Sequence, residues 1–168
     1  MMNFLRQSRT ASLILTLIRV FLGVQWLEAG LGKLLAEEGF SASGIISGAL
    51  NGNANPAYPW FTSFLSFTTN AGENTFLFDS LIPWGQVLVG LALIFGAFTL
   101  LAGWAGLLMN SSFLLAGIIS ENPTFIYLQI IILIAGFNSA RVGLDYWITP
   151  MLRRKFPFLH NDISTIRS

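Results

Sequence analysis

One apolar stretch near the start of the chain carries three ionisable residues. It runs from Ala11 to Ala36 and contains Arg19, Glu28 and Lys33. The stretch exceeds the roughly 20 residues that an α-helix needs to cross the hydrocarbon layer of a bilayer. An ionisable side chain in that layer costs about 2.5 to 3.5 kcal/mol, so helices that keep one usually turn it toward other helices. The stretch therefore predicts a membrane-spanning helix with a polar inner face.

The composition favours further spans and excludes several kinds of redox site. Of the 168 residues, 54% are hydrophobic and only 10% are charged, whereas soluble domains have about 25% charged residues. The chain has no cysteine, which excludes disulfides and cysteine-held iron–sulfur clusters, and its one histidine, His160, excludes a haem held by two histidines of one monomer. No metal is expected, and the net charge of +1 gives no sign of nucleic-acid binding. Any cofactor is expected to be an organic molecule held non-covalently.

Hydropathy predicts three more spans after the first. The second apolar block, residues 81–119, would form a helix about 58 Å long, roughly twice the hydrocarbon thickness, so it must fold back on itself. The break is predicted between Gly103 and Gly106. The chain is then a single domain over residues 1–168 with an all-α fold, a four-transmembrane-helix bundle. Its predicted parts are spans at 11–36, 82–102, 104–120 and 124–148, an outer loop at 37–81 and a cytoplasmic tail at 149–168.

The outer loop is too long for a simple connection and is rich in aromatic residues. Phe61, Phe64 and Leu65 share one helical face, which predicts short interfacial helices. The loop either anchors the protein in the membrane interface or forms a lid over a site that opens to the outer leaflet.

Basic residues near both ends predict the orientation. Two arginines precede the first span and the cluster Arg153 to Lys155 follows the last, whereas residues 37–81 contain no Lys or Arg. Cytoplasmic loops carry an excess of Lys and Arg. The sequence therefore predicts a multi-pass protein with both termini in the cytoplasm.

Five polar residues are expected to form an inner layer on the cytoplasmic side: Arg19, Asn110, Asn138, Arg141 and Asp145. The last three follow the spacing i, i+3, i+7 and would share one helical face. Two arginines for one aspartate leave a surplus positive charge, which suits an anionic group or a quinone carbonyl. The alternative is a structural role, in which Asp145 pairs with Arg19 or Arg141.

A second polar layer is expected nearer the outer side. Glu28 lies there with Gln25, Gln86 and Gln129 at a similar depth. A carboxyl group among glutamines can stay neutral and hydrogen-bonded, or it can carry protons. Glu28 is therefore the candidate catalytic residue, as a proton carrier, and the glutamines are candidate ligand-binding residues. A purely structural role for the layer is the alternative.

Several segments resemble the DoxX family of membrane proteins. They are IRVFLGVQWLEAGLGKL in the first span, NPAYPWF in the outer loop, WGQVLVGLALIFGAFT in the second span and AGFNSARVGLDYW near the end. The likeness extends from about Leu13 to Pro150. It implies a four-helix fold in the cytoplasmic membrane of a bacterium or archaeon. The family includes a membrane subunit of thiosulfate:quinone oxidoreductase, and its members are expected to carry Glu where Gln86 stands.

Three functions are compatible with these features. The first is a quinone-linked oxidoreductase, or its membrane subunit, that acts on a small reductant such as a reduced sulfur compound, with a non-covalently bound quinone as cofactor. The second is a non-catalytic platform that docks a soluble redox or stress-response enzyme. The third is a conduit for a small molecule or ion. The expected partners are the lipid bilayer and a second redox subunit or soluble enzyme, and the chain could also form an oligomer.

Overall fold

The computed structural model describes residues 2–54 and 57–156, and this part of the chain is all-helical. A π-helical segment, Ala49–Asn53, follows α3, and a short 3-10 turn, Gly136–Asn138, follows α7. The all-α prediction is confirmed for these residues. The α-helices are α1 (Met2–Gln7), α2 (Arg9–Leu34), α3 (Ser43–Gly48), α4 (Pro59–Thr68), α5 (Phe76–Phe95), α6 (Thr99–Leu115), α7 (Asn122–Ala135) and α8 (Asp145–Lys155).

Helix α2 closely matches the first predicted span. It begins after Ser8, whose hydroxyl accepts a hydrogen bond of 3.4 Å from the backbone N–H of Ala11, and so caps a helix end that has unpaired donors. Helices α2 and α5 are long and apolar enough to cross a membrane, while α6 and α7 are shorter apolar helices.

Glycines allow α2 and α5 to pack with their backbones in contact. A Cβ atom added at Gly90 would lie 2.6 Å from the backbone nitrogen of Leu27 and 2.8 Å from the carbonyl oxygen of Gly23. One added at Gly30 would lie 2.9 Å from the carbonyl oxygen of Pro83. Small residues permit such close helix approach in membrane proteins, and here the two helices run antiparallel.

Four helices share the main apolar core. Side chains from α2, α5, α6 and α7 meet there, and the Trp26 ring packs among aliphatic groups. The contacting pairs of helices include α2 with α5, α5 with α6, and α6 with α7. These four helices therefore lie side by side in the bundle in the same order as they follow one another along the chain. The buried members of this core are Leu22, Trp26, Val89, Leu93, Ala102 and Ile132.

The predicted break between the second and third spans is wrong. The chain turns at Gly96 to Phe98, where both residues have positive φ values of 64° and 52°, and α6 begins at Thr99. Gly103 and Gly106 stay helical because they serve packing instead. A Cβ atom at Gly103 would lie 3.1 Å from the Leu133 side chain, so these glycines bring α6 close to α7.

The predicted fourth span is also too long. Helix α7 ends at Ala135 because Gly136 adopts φ 60° and ψ −137°. The side-chain amide of Asn138 then donates hydrogen bonds to the carbonyl oxygens of Leu5 (2.8 Å) and Ser8 (3.0 Å). The chain runs irregularly until α8 starts at Asp145. Residues 136–144 therefore form a loop that closes one end of the bundle.

The predicted outer loop does contain short helices, α3 and α4, but it ends earlier than expected because α5 already begins at Phe76. Phe61 and Leu65 are buried as their shared face predicts, whereas Phe64 is exposed. Residues 55 and 56 of the NPAYPWF segment, and residues 157–168 of the predicted tail with His160, lie outside the described residues.

Candidate functional site

Arg19 is buried against the loop that follows α7. Its side chain is 2% exposed. Nη1 donates to the carbonyl oxygen of Ser139 at 3.0 Å, and Nη2 donates to that of Val142 at 2.6 Å. Hydrogen bonds from charged donors are shorter and stronger than neutral ones. Arg19 therefore fastens the 136–144 loop to the middle of α2.

Asp145 holds the turn between α5 and α6. Its carboxylate accepts hydrogen bonds from the backbone N–H groups of Phe98 (2.7 Å) and Thr99 (2.8 Å), which have no partner within α6. Arg19 attracts Asp145 electrostatically, but among the described residues neither Arg19 nor Arg141 forms the predicted direct pair with it. Backbone donors and acceptors have taken the place of the expected ion pair.

The predicted inner layer is only partly assembled. Arg19, Asn138 and Asp145 do meet around the 136–144 loop, and their bonds go to backbone groups. Arg141 is exposed and faces an open groove, because the loop is not helical and the i, i+3, i+7 spacing no longer defines one face. Asn110 lies elsewhere because α6 begins at Thr99, which moves it about three turns away from this end.

A polar cavity of about 290 Å³ lies toward the opposite end of the bundle. Its walls come from α2, α5, α6 and the start of α7. We call it the polar cavity; its polar lining residues are Gln25, Trp26, Lys33, Gln86, Asn110, Ser120, Glu121 and Asn122. Asn110 also donates a hydrogen bond of 3.0 Å to Oε1 of the buried Gln129. The predicted outer layer of glutamines is therefore assembled, with Asn110 added to it.

Two buried polar atoms of cavity-lining residues have no hydrogen-bond partner among the described residues. They are Nε1 of Trp26, a donor, and Oε1 of Gln86, an acceptor. The two residues are 3% and 4% exposed, respectively. Nε2 of Gln129, beside the cavity, is unpartnered in the same way. An unsatisfied buried polar group costs about 1–3 kcal/mol, and such groups in a native fold call for an explanation such as a functional role.

Glu28 does not line the polar cavity. Its side chain is exposed, because α2 presents Gln25, Ala29 and Lys33 to the cavity and Glu28 lies about 100° around the helix from Ala29. The carboxylate at the cavity is that of Glu121, with the Lys33 ammonium group also in the lining. The geometry therefore gives Glu28 no place in the site.

Sequence reasoning missed Trp26, Lys33 and Glu121 as cavity residues. Trp26 sits in an apolar run and gives no polar signal. Lys33 is expected from the sequence only as an ionisable residue of the first span, and Glu121 lies outside the predicted spans. The spacing of Gln25 and Lys33, two turns apart, was the one signal that could have placed Lys33 on the cavity face.

An apolar cleft of about 450 Å³ adjoins the polar cavity. Helices α4, α5 and α6 form its walls, with side chains such as Phe61, Leu88 and Met109. Phe113 lines both the apolar cleft and the polar cavity. The two spaces therefore have the Phe113 side chain as a common wall.

Comparison with known proteins adds no relative, since no family model, curated protein or solved structure significantly matches the chain. The resemblance to the DoxX family therefore stays an expectation.

Proposed function

We propose that the chain is a multi-pass membrane protein in which α2, α5, α6 and α7 span the bilayer. The support is an inverted distribution of polarity. Large apolar side chains face outward, such as Leu17 (72% exposed) and Leu101 (68% exposed), while Arg19 and Gln129 are buried. Monomeric soluble proteins rarely expose apolar patches larger than a few hundred Å², whereas lipid tails solvate such surfaces.

Within that bundle, we propose that the polar cavity binds the head group of a quinone and that the protein is a DoxX-like quinone-linked oxidoreductase or its membrane subunit. The observation that carries this proposal is the unpartnered donor of Trp26 and acceptor of Gln86 in residues that line one cavity. Ligand pockets usually measure about 300–1,000 Å³, so a cavity of about 290 Å³ suits a small ring.

The cavity residues divide into those that hold the ring and those that exchange protons. Trp26 Nε1 and the Asn110 amide supply donors for carbonyl oxygens, and Gln86 Oε1 supplies an acceptor for a hydroxyl group. The quinone itself would be the electron acceptor. Glu121 is exposed and lines the cavity, so its carboxylate is the candidate relay for protons between solvent and the ring.

The apolar cleft would hold the isoprenoid tail of the same ligand. Its lining is formed almost entirely of apolar side chains, with Ser112 as the one hydroxyl. The shared wall at Phe113 places the cleft directly beside the head-group site. Quinones combine a polar ring with an apolar tail, and the adjoining spaces offer the same combination.

Ligand binding can be tested with Gln86→Leu. This change replaces an unpartnered buried amide with an apolar group of similar size, so stability should be kept or should rise. The affinity of the purified protein for decylubiquinone should fall about tenfold, as expected for one lost hydrogen bond. Quenching of tryptophan fluorescence by the quinone measures this affinity. Gln7→Leu on the exposed face of α1 is the matched control and should bind as the wild type does.

A quinone without a tail distinguishes the contribution of the polar cavity to binding from that of the apolar cleft. It should bind more weakly than decylubiquinone to the wild type and should still respond to Gln86→Leu. Equal binding by wild type and Gln86→Leu would reject the polar cavity as the site. Quinone binding without thiosulfate- or sulfide-dependent quinone reduction, even with co-expressed neighbouring subunits, would favour the platform function over the oxidoreductase.

A further inference from the structure

An open groove of about 350 Å³ at the other end of the bundle is lined by three arginines. Arg6 comes from α1, Arg141 from the 136–144 loop and Arg153 from α8. We infer that this arginine groove binds a phosphate group, carried either by a lipid head group or by a free phosphoanion. The site is distinct from the polar cavity, with which it shares no lining residue.

Two of the arginines are held in place by contacts that leave donors free. Nε of Arg6 donates to the carbonyl oxygen of Ile134 at 3.0 Å. The guanidinium carbon of Arg153 lies 4.5 Å from the centroid of the Phe137 ring, a cation–π contact. A guanidinium group has five N–H donors, so each side chain is positioned while most of its donors stay available.

Arg141 has no hydrogen-bond or ion-pair partner among the described residues, although it lines the same groove. The groove contains one carboxylate in that part of the chain, Asp145, and its two oxygens already accept bonds from Phe98 and Thr99. Three arginines therefore face one occupied aspartate. Arginine binds phosphate through paired N–H···O bonds, which is the chemistry that this excess offers.

Aromatic residues border the groove on α8. Tyr146 lines it, and the rings of Tyr146 and Trp147 meet edge to face at 5.3 Å with both side chains exposed. Tyr and Trp are enriched where membrane proteins meet lipid head groups. If the bundle spans the bilayer as proposed above, the groove lies at the depth of lipid phosphates. Binding of a free phosphoanion does not depend on that location.

The test compares Arg141→Gln with Arg154→Gln. Arg154 is exposed on the same helix as Arg153 but does not line the groove, so both changes remove one surface charge. Native mass spectrometry of the full-length protein in detergent would measure retention of phosphatidylglycerol against phosphatidylcholine. Arg141→Gln should weaken phosphatidylglycerol binding about tenfold to a hundredfold, the range for hydrogen bonds from a charged donor. Arg154→Gln should change it less than about twofold, as an exposed charge in screened solvent.

Inorganic phosphate identifies the source of the group. If phosphate raises the melting temperature of the wild type above that in chloride of equal ionic strength, and Arg141→Gln abolishes the rise, the ligand is the free anion. Selective retention of phosphatidylglycerol without a phosphate effect assigns the lipid head group. Equal losses of phosphatidylglycerol binding in the two variants would overturn the inference. The absence of both selective phosphatidylglycerol retention and a phosphate effect on the melting temperature would also overturn it. Arg141→Gln should keep wild-type decylubiquinone binding, so failure here is separable from failure at the polar cavity.

Discussion

Asn110 and Gln129 join α6 to α7 through a hydrogen bond of 3.0 Å between two side-chain amides, both of them buried. The pair sits beside the polar cavity, and Gly106 leaves the space into which the Gln129 amide fits. Because Gln129 has no partner for its amide nitrogen among the described residues, Asn110 satisfies its amide oxygen but leaves its two N–H donors unpaired.

This amide pair should show strong coupling in a double-mutant cycle. Asn110→Leu removes the donor and leaves Oε1 of Gln129 unpaired, which should lower the free energy of unfolding by about 1–3 kcal/mol. The double variant Asn110→Leu/Gln129→Met replaces both partners with apolar groups and should be more stable than Asn110→Leu alone. Denaturant titration in detergent measures both. Additive losses would show that the two amides do not interact.

Loss of Arg19 should destabilise the bundle far more than loss of an exposed arginine. Arg19→Met leaves the buried carbonyl group of Ser139 and the partly buried one of Val142 without their charged donor, so we expect a loss of about 3–5 kcal/mol in unfolding free energy. Arg9→Met, at the exposed start of the same helix, should change it by no more than about 0.5 kcal/mol. Similar melting temperatures for the two variants would contradict the observed contacts.

A methyl group at the crossing of α2 and α5 should push these helices apart. Gly90→Ala places a Cβ atom 2.6 Å from a backbone nitrogen of Leu27, and such overpacking costs about 1–3 kcal/mol. Gly32→Ala is the control, since no atom of the described neighbours lies within 4 Å of the added Cβ. It should leave stability unchanged or raise it by up to about 1 kcal/mol through helix propensity. Thermal unfolding in detergent should rank the variants in this order.

The proposed orientation can be checked by cysteine labelling, because the natural chain has no cysteine. Gln7→Cys and Glu38→Cys introduce thiols at exposed positions beyond the two opposite ends of α2. In intact cells, an impermeant thiol reagent should label Glu38→Cys and not Gln7→Cys, and both should react after permeabilisation. The reverse pattern would invert the topology, and equal labelling in intact cells would contradict a single orientation.

The sequence predicts α2 well because its signals are local. The hydropathy of the segment lies within the helix that it defines, and the structure adds the cap at Ser8 next to it. The break after α5 could not be located in the same way, since the sequence alone makes Gly96, Gly103 and Gly106 equally plausible places for a helix to end. Only tertiary contacts distinguish them: Asp145 binds the N–H of Phe98 in the turn, whereas Gly103 and Gly106 pack on α7.

The error in the turn carries over into the predicted site. With the start of α6 moved, Asn110 leaves the inner layer for the polar cavity, where it bonds to Gln129. The positions of Gln25 and Gln86 were less affected because α2 and α5 are long helices whose depth follows from hydropathy. Arg141 was misplaced for a different reason, since the helical spacing assumed for it stops at Gly136.

The hydrogen bonds from Arg19 to Ser139 and Val142 also determine how late in synthesis α2 can reach its final packing. A ribosome makes Arg19 before the carbonyl groups that receive its hydrogen bonds, which lie 120 and 123 residues further along the chain. Until those residues emerge, α2 carries a guanidinium group without its final partners. The newly made part that contains α2 therefore stays an incomplete intermediate until those residues are made, and truncated chains that end before residue 142 should be those that cellular quality control removes.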